Sequence, residues 1–180
     1  MDLQIKILKN FFNDSNLKIY RESGKIIVVG DIIVFDNKHE EIPVKIHKVI
    51  GNIKWHGDIN WDHPGSLKSL KNFPDIVTGD VLIFKNKQLK SLAGCPKHIG
   101  GTLQCDNCNI SDISDLSEDI GGFFIAANNP ISNITKLQES NIRYNIDLTN
   151  TKITENDLSS LKLPNDSSII IVKHLSNDIF

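Results

Sequence analysis

Long apolar runs are missing from this 180-residue chain. No 18 apolar residues occur together, which excludes a hydrophobic membrane-spanning helix. The opening Met1-Asp-Leu-Gln-Ile-Lys-Ile-Leu-Lys carries no cleavage signature, so a cytoplasmic location without membrane contact is expected. Charge of one sign is also lacking: 20 Lys and Arg stand against 22 Asp and Glu, a net charge of −2. That balance gives no bulk electrostatic reason to approach nucleic acid, and the short basic stretch Lys85-Asn-Lys87 with Lys90 is offset by acids. No Walker or dinucleotide glycine pattern, Ser-centred elbow or His-Glu-x-x-His is present, and no cofactor is expected. His39, His47 and His174 read as surface residues. With 39% apolar and 23% charged residues, the chain is expected to be one globular domain spanning 1–180.

What the chain has instead is a phrase that returns every 21 to 22 residues. It reads Gly101-Thr-Leu103-Gln-Cys105-Asp-Asn-Cys108-Asn-Ile110-Ser-Asp-Ile113, then Gly122-Phe-Phe124-Ile-Ala126-Ala-Asn-Asn129-Pro-Ile131-Ser-Asn-Ile134. Gly30, Gly51, Gly79, Gly101 and Gly122 each stand two residues ahead of an alternating apolar pair: Ile32/Val34, Ile53/Trp55, Val81/Ile83, Leu103/Cys105 and Phe124/Ala126. Ile146/Leu148 and Ile169/Ile171 continue the series without the glycine. The steps are 21, 28, 22, 21, 22 and 23 residues, which predicts about seven coils with one insertion, placed at 56–66.

A short strand with one apolar face buries too little surface alone, so each coil is stable only against its neighbours. The strands of successive coils are expected to pair in parallel about 4.8 Å apart. Glycine suits a turn that needs positive φ or close backbone approach. Asn129 and Cys108 turn the chain off the strand, where a small hydrogen-bonding side chain can run as a ladder; Asn86 lies near that place.

The phrase Leu-x-Leu-x-x-Asn/Cys-x-Leu resembles the leucine-rich repeat over residues 30 to about 155. Residues 89–105, Leu-Lys-Ser-Leu-Ala-Gly-Cys-Pro-Lys-His-Ile-Gly-Gly-Thr-Leu-Gln-Cys, look like the repeat of a group of leucine-rich-repeat-like proteins encoded by tailed phages, with Gly-Lys-Ile-Ile-Val-Val-Gly-Asp at 24–31 as its first strand. The resemblance implies a short α/β solenoid with a parallel β-sheet, an N-terminal helical cap and a C-terminal capping strand. It also implies a partner in the host cell, and so a place in the host cytoplasm. It says little about chemistry.

The ends are expected to cap the coils: residues 1–24, 25–155 and 156–180 divide into N-terminal cap, repeats and C-terminal cap. Leu3, Ile5, Ile7, Leu8, Phe11 and Phe12 fit an amphipathic helix stopped by Asn13-Asp-Ser-Asn16. Residues from Thr154 hold a helical turn, Pro164 breaks it, and Ile169-Ile-Ile-Val172 forms a last strand that the tail covers.

Three places attract chemistry. Cys95, His98, Cys105 and Cys108 have spacings that a structural zinc site could use, although the repeat already explains Cys105 and Cys108 as small buried residues with reduced thiols. The insertion gathers His56, Asp58, Trp61, Asp62 and His63, which read as a partner-contact loop, an inert excursion, or a metal or acid–base site. The third is the face opposite the inward pairs. Alternation turns Ile33, Phe35, Lys54, His56, Leu82, Phe84, Gln104 and Asp106 to that face, and its N-terminal half is apolar. A one-residue slip in the third coil would instead turn Leu82 and Phe84 inward.

The expected function is binding of another protein, without catalysis, through Ile33, Phe35, Lys54, His56, Trp61, His63, Leu82, Phe84, Gln104 and Asp106. The alternatives are a metal-dependent module built on the Cys/His or His/Asp clusters, or a self-associating virion component. Oligomeric state and partner identity are not written in the residues.

Overall fold

Helix α1 (Leu3–Phe12) begins where the Asp2 carboxylate accepts the backbone N–H groups of Gln4 (3.0 Å) and Ile5 (3.3 Å). It ends where Asn13 takes a left-handed φ of 47°. Its apolar stripe buries Leu8 and packs Ile5, Phe11 and Phe12 onto the core. The computed structural model describes residues 2–35, 38–56, 64–164 and 167–170.

After α1 the chain winds as a solenoid in which each coil gives two strands, where the repeat phrase announces one. The first sheet runs β1 (Lys18–Glu22), β2 (Lys25–Val29), β4 (Lys48–Ile50), β6 (Ile76–Val77), β8 (His98–Ile99), β10 (Asp119–Ile120) and β12 (Asn141–Ile142). The second runs β3 (Ile32–Phe35), β5 (Ile53–His56), β7 (Val81–Leu82), β9 (Leu103–Gln104), β11 (Phe124–Ile125), β13 (Ile146–Asp147) and β14 (Ile169–Ile170). All neighbours pair in parallel except β1 and β2. Ser23 (φ 47°) and Gly24 (φ 79°) make the tight hairpin turn that lets β1 return antiparallel along β2.

The core fills the space between the sheets and the descending connections. Ile26 and Val28 enter it from β2, and Val49, Val77, Ile99, Ile120 and Ile142 follow from the first sheet, one per later coil. The expected inward pairs of the second sheet, from Ile32/Val34 to Phe124/Ala126, are all buried to 6% exposure or less. In the third coil Val81 and Ile83 are fully buried while Leu82 and Phe84 are partly exposed, so the slipped register is not adopted. Trp55 lies under α1 between the rings of Phe11 and Phe73, 6.3 and 6.1 Å away by centroid. Its indole N–H finds no acceptor among the described residues.

Two corners hold each coil to the next. Between the sheets, the side-chain oxygens of Asp31, Asn52, Asp80 and Thr102 accept the N–H of Asn52 (2.9 Å), Asp80 (2.7 Å), Thr102 (2.8 Å) and Phe123 (3.3 Å) in turn. The glycines before these positions allow the coils to approach; a Cβ at Gly51 would overlap the carbonyl oxygen of Gly30.

At the far end of the second sheet, Asn86, Cys108 and Asn129 form the expected ladder. Asn129 donates to the carbonyls of Cys105 (2.9 Å), Ala126 (3.0 Å) and Ala127 (3.2 Å), and accepts the N–H of Ile110 at 2.9 Å. Asn86 donates to Trp55 O and Phe84 O and accepts from Leu67. One residue earlier in each coil, Lys85, Asn107, Asn128 and Asn150 all stand at left-handed φ of 55–58°.

The C-terminal region follows the same logic. Thr154 caps α2 (Glu155–Ser159) in a reciprocal box with Asp157, and β14 pairs with β13. The tail expected to fold over the last strand lies outside the described residues, as do Ile171 and Val172.

Candidate binding surface

Parallel in-register pairing stacks the outward side chains of the second sheet into two rows. One row runs Ile33, Lys54, Leu82, Gln104, Ile125 and Asp147. The other begins with the directly paired Phe35 and His56 and continues along the coils through Phe84 and Asp106. Ile33 is 43% exposed, and Phe35, Lys54, Leu82, Phe84, Gln104 and Asp106 are partly exposed. Seven of the residues expected on this face are thus brought together on it.

His56 departs from the expectation. It belongs to the outward row by parity but is only 1% exposed, its ring set against Phe84 at 5.0 Å. An imidazole with that burial packs the face and offers little surface to a partner. Asp58, Trp61, Asp62 and His63, with the rest of the contact-loop reading, lie outside the described residues.

The polar end of the face is tied down. Asp106 accepts hydrogen bonds from the Gln104 amide (2.7 Å) and the Asn107 amide (2.5 Å), so these two expected contact residues satisfy each other. Lys54 makes no salt bridge among the described residues. With the backbone and side-chain amides of Asn52, it helps hold the Asp31 carboxyl below the usual carboxylate range. The face therefore gathers apolar side chains at Ile33, Phe35, Leu82 and Phe84 around Lys54, and polar ones at Gln104 and Asp106 ahead of Ile125.

The fold scatters the four candidate zinc ligands. Cys105 is inside the core, and Cys108 sits in the buried ladder, donating to Ile83 O (3.1 Å) and accepting from Asn86 N–H (3.4 Å). Cys95 lies in a descending connection beside Ser117 Oγ at 3.4 Å. His98 faces outward from the first sheet, its Nδ1 2.7 Å from Asp119 Oδ2. Among the described residues no three His, Cys, Asp or Glu are placed to hold a metal ion. Burial pushes the Cys95 thiol up to about 11 and the Cys108 thiol to about 12, with Cys105 higher than its ordinary value for the same reason. Thiols held neutral in this way are poor ligands and poor nucleophiles.

Two depressions lie away from the second sheet. One, of about 330 Å³, runs between Lys45, Asp75, Cys95, Lys97 and Glu118. Four of its charges are matched in pairs, Lys45 with Asp75 at 2.8 Å and Lys97 with Glu118 at 3.7 Å. The other, of about 410 Å³, opens on the first sheet among Asp119, Ile120, Gly121, Asn141 and Arg143. Beside it Phe123 and Tyr144 stack in the open, 5.2 Å apart and 44% and 48% exposed. Sequence reasoning passed over this pair, although one signal was present: Tyr144 stands where five earlier coils have the glycine.

A scan against protein-family models, a search of curated proteins and a search of solved structures each found no match. The class therefore rests on geometry: a two-sheet parallel β-solenoid with an N-terminal helix. No helix among the described residues is long and apolar enough to cross a membrane.

Proposed function

We propose that the chain is a non-catalytic protein-binding module whose contact surface is the outer face of the second sheet. The observation that supports this most is the apolar group Ile33, Phe35, Leu82 and Phe84. These side chains are left partly exposed on strands whose inward side chains are packed to completion. A regular stack of parallel strands presents a rigid extended surface, and a rigid surface binds without losing conformational freedom. The likeness to the repeats of tailed-phage proteins points to a host or defence protein as the partner, one that a phage inhibits or redirects.

The experiment is a quantitative pull-down from host lysate with wild type beside Ile33→Asp/Leu82→Asp. Circular dichroism first establishes that both proteins fold. A stoichiometric partner retained by wild type and lost by the variant supports the reading. Equal retention by both removes the second sheet as the contact surface.

A further inference from the structure

The corner between the two sheets follows one rule through four coils and then abandons it. Asp31, Asn52, Asp80 and Thr102 each supply an oxygen to the next coil, behind glycines at 30, 51, 79 and 101. The fifth coil keeps Gly122 but places Phe123 at the acceptor position, and the sixth replaces the glycine with Tyr144. A phenyl ring cannot continue the ladder. Neither ring is recovered by burial: the two stack on each other at 27° between planes and remain almost half exposed. A local rule broken with no packing gain marks a functional position more often than a structural one.

The surroundings narrow the ligand. The rings adjoin the depression of about 410 Å³ through Arg143, which lines it and lies against Tyr144, and Gly121 in the lining packs so closely on the next coil that a Cβ would overlap the Gly100 carbonyl. Asp119 forms one wall and is fixed from both sides, by His98 Nδ1 at 2.7 Å and by the Asn141 amide at 3.2 Å. Arg143 lines the same depression, with its guanidinium carbon 5.7 Å from the Tyr144 ring centroid.

We propose that this corner is a saccharide-binding site. A pyranose ring has an apolar C–H face, which the aromatic ledge accepts, and a rim of hydroxyls that both donate and accept. The carboxylate, amide, imidazole and guanidinium around the depression offer both functions. Exposed rings also stack nucleobases, but such sites follow the phosphate backbone with a run of cations. Here Asp119 balances the charge of Arg143 in the same lining. A protein hot spot is closed by a packed rim that excludes water, whereas this ledge adjoins an open polar hollow. The site lies on a different sheet from the proposed protein-binding face and does not depend on it.

The test is a titration of the isotope-labelled protein, read by amide correlation spectra, with neutral hexasaccharides of glucose, mannose, xylose and N-acetylglucosamine. The expected result is saturable shifts, in the millimolar range or tighter, confined to residues around Gly121, Phe123, Asn141 and Tyr144. Phe123→Ala and Tyr144→Ala should each weaken binding at least about tenfold. Both side chains are exposed, so these variants should fold; Arg143→Ala, outside the ladder, is a second probe, and Ile33→Asp on the other sheet should leave affinity unchanged. No shift with any hexasaccharide at about 10 mM overturns the proposal. So do shifts that persist in both ring variants, or a single-stranded oligonucleotide that saturates the site where the saccharides do not.

Discussion

The two corners of each coil solve one problem in different ways. Both must satisfy backbone N–H groups where the chain leaves a strand. The corner between the sheets is partly open, and there Asp, Asn and Thr serve in turn through one acceptor oxygen each. The corner after the second sheet is buried, and there a single amide at Asn129 satisfies four backbone groups in two coils. Water can replace a lost acceptor at the open corner but not at the buried one. The open corner is therefore free to vary, and it is there that the chain admits Phe123 and Tyr144.

The contrast can be tested most strongly through two thiols on the buried side, Cys105 in the core and Cys108 in the ladder. Thiol pKa values are raised by burial, to about 11 at Cys95 and about 12 at Cys108, from an ordinary 9.0. At pH 8 Cys105 and Cys108 should react with a disulfide reagent at least ~100-fold more slowly in the native protein than in urea. Fast native reaction at Cys105 or Cys108 would show that the corner opens. The sign of the linkage follows. Thiols favoured in neutral form lend stability that is whole below about pH 9 and is lost as pH rises toward 11 and 12.

Next in size is Asn129→Ala, which leaves several buried backbone groups without partners. It should lower the unfolding free energy by about 3 kcal/mol, read from the urea midpoint at unchanged slope. A loss no greater than that of Asp80→Ala at the open corner, about 1 kcal/mol, would erase the distinction. Gly121→Ala should cost about 2 kcal/mol, because its methyl meets the carbonyl of the coil beneath. The smallest effect carries the opposite sign. Lys85 holds the left-handed position that Asn107, Asn128 and Asn150 hold in later coils. Lys85→Asn should stabilise the protein by about 0.5 kcal/mol in the same measurement.

The sequence made some of this legible and hid the rest for physical reasons. Alternation in the second sheet is readable because each strand turns two apolar residues inward. The pairs from Ile32/Val34 to Ile146/Leu148 are accordingly buried as expected. After its first coil the first sheet turns in only one residue per coil, Val49, Val77, Ile99, Ile120 or Ile142, and a single apolar residue has no periodicity. Its trace was a Val or Ile recurring shortly before each corner. The Asp31-to-Thr102 ladder was obscured because three residue types perform one job. His56 misled through parity: alternation assigns a side to a residue, whereas burial depends on what lies over that side. The amphipathic helix was readable because ten residues cover nearly three turns.

Strict register makes the second sheet a ruler. Its seven strands rise in equal steps of about 4.8 Å, so β3 and β14 stand about 29 Å apart. Any two groups on its outer face are separated by whole multiples of that step along the stack, whatever residues fill the rungs. A ligand or partner that reads this surface reads an interval before it reads a side chain. Deleting one complete coil would shorten the interval by one step while keeping the chemistry at both ends.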